Sequence, residues 1–415
     1  MNPFVADPHW GWWIIFYFFL GGIAAGAYFV ATLVEMFGHE DDRPLARLGY
    51  RIAFPLICVC GALLIVDLDR PERFWHMMFQ SHVVHQALDE GWPLGGWGTM
   101  LHAPMVKWWS PMSIGAWAIA LFGAMSLLSF IASFRTNGFL ARLLGRNWFG
   151  YLFHIIGSGI GFFIAAYTGV LLSATNQPAW SISDWIGPLF LTSACSTALA
   201  VLHLLGRGIG QGTRERLERA DVWVLGLELG LFLIFLASLG SLLPVILTTW
   251  QGQVLVVGTL VAGLLLPLVL HLGPGNSPTL AALSALAGGF LLRFGIVSIA
   301  PALLLAPSEE VLINAHRLPY ALWQVQLLLL VTALLACAMP MLLRKHWRFD
   351  VGSTLLAFVA SAMVATGVAF YAFGASDWRF SPEEGRARGG GVGASFFNHP
   401  DHVEPRSKIL KDAAP

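Results

Sequence analysis

From Leu229 to Leu292 the sequence has no aspartate, glutamate, lysine or arginine. Such a stretch has no means of holding itself in water. In hydrocarbon, each backbone N–H and C=O must find a partner within the protein, and runs of about twenty apolar residues meet that demand as α-helices. Pro244, Pro267, Pro274 and Pro278 are the strongest punctuation inside the stretch and divide it into successive helices. The rest of the molecule has the same character, with 12% charged and 56% hydrophobic residues among 415, against about 25% charged in soluble domains.

Runs able to cross about 30 Å of hydrocarbon lie at 11–35, 51–67, 112–134, 149–173, 185–206, 221–243, 251–272, 279–305, 320–343 and 351–374. The expected fold is therefore all-α, a polytopic membrane protein of about ten transmembrane helices. The second helix is expected to be short, because only Ile52 to Val66 is free of charge. The expected organisation is a first four-helix bundle over 8–175 with an outer loop at 68–111, and a second bundle over 176–305. An additional helix pair follows over 306–375, then a polar, Gly-rich tail over 376–415. Gly22 with Gly26, Gly157 with Gly161, and Gly226 with Gly230 have the small-xxx-small spacing that lets helix backbones approach. The first ten residues hold no Lys or Arg, so the first apolar run reads as a retained helix and not as a cleaved signal.

Loop charge sets the expected orientation. Arginine and lysine concentrate after the odd-numbered helices, at Arg43, Arg47 and Arg51, at Arg135, Arg142 and Arg146, at Arg207, Arg214, Arg216 and Arg219, and at Arg344, Lys345 and Arg348. The opposite loops hold only Arg70, Arg73, Lys107 and Arg317, leaving out the long tail after Ala375, since long segments obey the charge rule poorly. Cytoplasmic loops retain positive charge, so both termini are expected outside a bacterial or archaeal cytoplasmic (inner) membrane. Tryptophan is asymmetric as well. Trp10, Trp12, Trp13, Trp75, Trp92, Trp97, Trp108, Trp109, Trp180, Trp185, Trp250, Trp323 and Trp378 fall at or beyond the outer boundary, and Trp148, Trp223 and Trp347 at the inner one. An ordinary aromatic belt serves both interfaces, so the excess suggests an outer docking surface or ligand mouth.

The chemistry-bearing residues gather at that outer side. Asp67-Leu68-Asp69-Arg70-Pro71-Glu72-Arg73-Phe74-Trp75-His76 closes the second helix, and Lys107-Trp108-Trp109-Ser110-Pro111-Met112-Ser113 opens the third. Tyr17 on the first helix and Tyr167 on the fourth fall about two turns from the same face. A quinone headgroup needs hydrogen-bond donors for two carbonyls and a route for protons, and its tail needs an apolar slot. Tyr17, Asp67, Arg70, Arg73, His76, Ser113 and Tyr167 offer the first two beside Phe16, Phe18 and Phe19. The blander readings are an interfacial anchor for Tyr17 and a structural ion-pair cap for Asp67 with Arg70 and Arg73.

Glu228 and Arg293 lie inside the sixth and eighth helices, where an unpaired charge costs several kcal/mol. At mid-to-inner depths they could pair with each other, as a structural ion pair or as part of a proton path. His154, His203 and His271 stand near inner helix ends, where His154 is a further proton-path candidate and a bis-His haem is the rival use. Cys58, Cys60, Cys195 and Cys337 sit in apolar helices with no iron–sulfur or zinc spacing, and His76, His82, His85 and His102 match no ligand set. No haem, iron–sulfur cluster or other metal is expected in the chain. A formal net charge of zero gives no reason to invoke nucleic acid.

These residues also carry a likeness. Asp67 to Trp75, the Trp108–Ser113 helix start, Phe19-Leu20-Gly21-Gly22-Ile23-Ala24-Ala25-Gly26, Tyr167-Thr168-Gly169-Val170-Leu171-Leu172-Ser173 and Gly288-Gly289-Phe290-Leu291-Leu292-Arg293-Phe294 resemble the NrfD family over roughly residues 8 to 305. That family comprises membrane subunits of polysulfide reductase and related respiratory complexes. Asp69 stands where the family usually has glycine, and Ser81 to Met105 looks like an insertion. The resemblance implies a quinone pocket (menaquinone or ubiquinone) at the outer face beneath an iron–sulfur electron-transfer subunit, with a molybdopterin catalytic subunit often beyond it. It also suggests a buried polar path in the second bundle and no haem in this subunit. A secondary ion transporter with Glu228 and Arg293 on its path is one rival. It would need broken helices at the midplane and repeat symmetry. A passive membrane anchor is the other.

Overall fold

The computed structural model describes residues 10–304 apart from 39, 69, 80–109, 136–137, 174–176, 182, 184, 207, 241 and 273–276. The expected helices at 320–343 and 351–374, the tail, Asp69 and the insertion Ser81 to Met105 lie outside the described residues. Among the described residues, eight helices are long and apolar enough to cross a membrane: α1 (Trp12–Phe37), α2 (Arg43–Val66), α3 (Pro111–Phe134), α4 (Trp148–Ser173), α5 (Ile186–Leu205), α6 (Gln211–Ser238), α7 (Trp250–Leu272) and α8 (Pro278–Leu304). No strand occurs among the described residues.

Two helix starts differ from the sequence reading, for one reason. α2 begins at Arg43, with Pro44 in its first turn, and α6 begins at Gln211. A hydropathy run marks only the part of a helix in hydrocarbon, whereas the hydrogen-bond ladder continues through charged turns into the aqueous region. The second helix is therefore 24 residues long and not short. At its other end α6 stops at Ser238, short of the expected 243, because Gly240 takes a left-handed φ of 52°. Pro244 sits in the short helix Leu242–Thr248 that follows, and α7 starts afresh after Thr249, whose side chain accepts the Gly252 N–H at 3.1 Å. Pro267 lies inside α7 instead of ending it, and the preceding stretch Val254–Leu265 winds as a π-helix. A proline removes one ladder bond and crowds the carbonyl four residues back; loosening the turns ahead of it accommodates both.

α1 packs on α2 and α4, and α3 on α2 and α4; α5 packs on α6 and α8, and α7 on α8. The two groups share one continuous core, because α1 and α4 both lie on α5. Close approach at that seam depends on Gly26, where an added methyl would stand 2.7 Å from the Ala198 Cβ. Gly226 and Gly230 do not act this way: a methyl at either would meet nothing within 4 Å.

The helix ends sort into two faces. At an arginine-rich end, Arg146 donates to the Glu35 carbonyl at 3.0 Å and to the Gly38 carbonyl, closing the C-terminus of α1. Buried Asp42 there accepts from Thr213 and Arg216, tying the start of α2 to the start of α6. At the opposite, aromatic end, Trp12 and Trp250 are exposed and both stand against Phe294, at 5.3 and 5.8 Å between ring centroids. Trp180 is different from the expected surface tryptophan. It is fully buried and donates to the Ile296 carbonyl at 2.6 Å, fastening the segment before α5 onto α8.

Candidate functional site

At the aromatic end of the first group of helices, Tyr17 and Tyr167 are both buried and stand as neighbours. α1 and α4 place them by the same arithmetic of about 1.5 Å per residue from their ends. Tyr167 stacks on Phe163 at 5.3 Å, and its ring lies over Gly115 of α3, where a methyl would stand 2.8 Å from the phenol oxygen. Cys60 approaches the Tyr17 carbonyl with its thiol, 3.7 Å away. The four helices α1 to α4 thus bring two phenols together in an apolar, aromatic setting.

The connection after α2 covers this end. Pro71–Arg73 forms one tight turn, and Trp75–Met78 a single helical turn. The Ser113 hydroxyl and the Trp117 indole both donate to the Met78 carbonyl at 3.2 Å, fastening the connection to α3. His76 is half-buried against Trp75, with ring centroids 4.0 Å apart, and Asp67 is half-buried at the end of α2. Arg70 and Arg73 are exposed. Both stand on a turn that carries them past the end of α2.

Arg293 stands near mid-depth, on the aromatic-end side of the centre. α8 runs from Pro278 to Leu304 towards the aromatic end, and Arg293 lies past its midpoint, level with Phe18 and hence with Tyr17. Its guanidinium is fully buried and donates to the carbonyls of Phe18 (3.1 Å), Gly289 (2.7 Å) and Phe190 (3.3 Å) and to the Ser193 hydroxyl (2.9 Å). The Phe190 ring stands 5.3 Å away. Glu228 is buried on α6 and accepts a short hydrogen bond from Ser196. The expected mutual pair is therefore indirect. α5 stands between α6 and α8, and its Ser193 and Ser196, three residues apart on one face, link the two charges.

His154 belongs elsewhere. It lies between Tyr28, whose hydroxyl is 3.3 Å from Nδ1, and the Leu144 carbonyl, 2.9 Å from Nε2, with the Tyr50 ring stacked on it at 4.9 Å. Tyr28 also meets Ser129 at 3.1 Å, and Ser158 donates to Thr32 at 2.9 Å. This network occupies the arginine-rich half of the first helix group, away from Glu228. Sequence reasoning passed over Tyr28 and Tyr50, although a tyrosine in an apolar helix always raises the question of its hydroxyl's partner. It also passed over Asp221, which is buried and lies 3.0 Å from His271. Asp221 begins the apolar part of α6, and a lone acid at such a boundary looks like an ordinary helix end. Among the described residues no cluster of three or more His, Cys, Asp or Glu could hold a metal.

Residues 3–304 match the family described as Polysulphide reductase, NrfD. A polysulfide reductase chain of Wolinella succinogenes is 26% identical over 69% of this protein and 93% of its own length. The NrfD homolog of Haemophilus influenzae is 25% identical, again over 69% and 93%. A selenate reductase subunit of Mesobacillus selenatarsenatis is 31% identical over 19% of this protein and 18% of its own length.

Proposed function

The chain belongs to the NrfD family of multi-pass membrane proteins, and from that premise we propose that it exchanges electrons and protons with a quinone pool as the membrane subunit of a respiratory oxidoreductase. The observation that supports this most is the neighbouring pair of buried phenols, Tyr17 and Tyr167, held by four helices at one end beneath the Trp75–Met78 turn. A phenol hydroxyl donates to a quinone carbonyl without placing a charge in hydrocarbon, and the aromatic surroundings suit the isoprenoid tail. His76 and Asp67, half-buried at the same end, are the groups from which a quinone oxygen would take or give a proton. Arg70 and Arg73, exposed on the turn, fit a contact with the partner subunit.

In this reading the aromatic end faces outward and receives an iron–sulfur electron-transfer subunit, with a molybdopterin catalytic subunit beyond it. The names of two relatives, one a polysulfide reductase chain and the other a selenate reductase subunit, agree with such an assembly. Proton coupling would run through the second group of helices, where Arg293 stands level with Tyr17 and the serines of α5 connect it to Glu228.

Tyr167→Phe tests the pocket. Loss of one hydrogen bond, about 0.5 to 1.5 kcal/mol, should weaken binding of a quinone-analogue inhibitor by up to roughly tenfold while the complex still assembles. Unchanged affinity in both Tyr167→Phe and Tyr17→Phe would remove the phenols from the headgroup site.

A further inference from the structure

Beyond the charges just described, α6 carries a second buried acid. Asp221 lies two turns from Glu228 on the same helix face, about 10 Å along the axis, towards the arginine-rich end. It is 5% exposed, and one carboxylate oxygen, Oδ2, meets His271 Nε2 of α7 at 3.0 Å. The other oxygen, Oδ1, is buried and takes no hydrogen bond from the described residues. His203 of α5 faces the same carboxylate, with Glu218 and Arg214 of α6 on its aqueous side and Glu228 on its membrane side. Between the two acids the same face of α6 presents Val224 and Leu225, both buried and apolar.

A structural ion pair needs both carboxylate oxygens satisfied to recover its desolvation cost, and here half of the acceptor stays open. The pair also joins the one side-chain type that changes charge near neutrality to a carboxylate, at the depth where the polar turns of α6 give way to apolar ones. We infer that Asp221 and His271, with His203 beside them, form the site at which protons are taken up from the arginine-rich side, separated from Glu228 by the apolar septum of Val224 and Leu225. Uptake moves a proton from hydronium to the imidazole, leaving water and an imidazolium whose N–H donates to Asp221. Onward transfer breaks that N–H bond and forms an O–H bond on Asp221, restoring neutral His271, and a transient water chain past Val224 and Leu225 then carries the proton to the Glu228 carboxylate. The septum keeps the two acids from sharing one continuous polar channel, so a proton crosses only when quinone chemistry at the far end calls for it.

The inference rests on the quinone reading above and is tested so that the two can fail separately. The whole complex is reconstituted in vesicles with pH set independently on each side, and quinone turnover and proton movement are followed together. Asp221→Asn and His271→Gln should keep uncoupled quinone turnover but lose proton movement, and with it the dependence of coupled turnover on pH at the arginine-rich side. Should either variant fail to assemble, the double change Asp221→Leu, His271→Leu replaces the pair with apolar groups and is expected to assemble without moving protons. Proton movement at the wild-type level in any of these overturns the proposal, as does wild-type turnover that moves no protons. Absence of quinone turnover in the wild type would overturn the quinone reading itself.

Discussion

The two groups of helices bury polar residues in different chemical forms. In α1 to α4 the deep polar side chains are phenols, hydroxyls and one imidazole: Tyr17, Tyr167, Tyr28, Tyr50, Ser129, Ser158 and His154. In α5 to α8 they include full charges, Glu228, Arg293 and Asp221. A neutral group needs one hydrogen bond to be tolerated in an apolar interior, whereas a charge must be surrounded. Tyr28 accordingly has two side-chain partners, Ser129 and His154, while Arg293 has four acceptors drawn from three helices. The first group thus buries neutral polar side chains, and the second buries charged ones.

The contrast can be broken most sharply at Arg293. Arg293→Leu would remove the guanidinium's bonds to the Ser193 hydroxyl and to the Phe18 and Phe190 carbonyls and strip Glu228 of its compensating charge, at a cost of about 3 to 5 kcal/mol. We expect little folded protein in detergent by size-exclusion chromatography. Normal yield and thermal stability would mean that the second group does not depend on surrounding its charge.

Gly115→Ala acts on the neutral side. The added methyl meets the Tyr167 ring, so overpacking should cost about 1 to 3 kcal/mol and displace the phenol. Quinone-linked turnover should fall more than the amount of assembled complex does; equal losses would show the effect to be folding alone. A smaller change follows from Tyr28→Phe, which removes a hydroxyl bonded to Ser129 and His154. About 0.5 to 1.5 kcal/mol of stability should be lost, read as a modest drop in thermal midpoint with turnover kept.

The smallest effect on stability belongs to Glu228→Gln, and it sharpens the comparison most. Glutamine still accepts from Ser196, and Arg293 keeps all four of its described acceptors, so assembly should be unchanged. In vesicles the variant should carry electrons to quinone yet generate less membrane potential. Full potential generation would leave Glu228 a structural residue.

Hydrophobic run length and loop arginines were enough to read eight of the helices, most of their ends to within a few residues, because the hydrocarbon imposes a length on each crossing segment and leaves the backbone one way to bond itself. Tyr17 and Tyr167 could be placed at a common level by counting residues from the helix ends. Counting put Arg293 near the middle of α8, whose ends the sequence placed to within a residue, but only packing set it level with Phe18. Which charge faces which neighbour was beyond the sequence. Glu228 and Arg293 read as a pair by sign and depth, and only packing showed α5 between them, with Ser193 and Ser196 as the link. That Ser113 meets the Met78 carbonyl, and that α7 returns His271 to the side of Asp221, likewise came only from the fold. One-dimensional pattern determines where a helix crosses, because that depends on local transfer free energy. The partners of a buried polar atom depend on helix rotation and on the neighbours it meets, and these are set by tertiary packing.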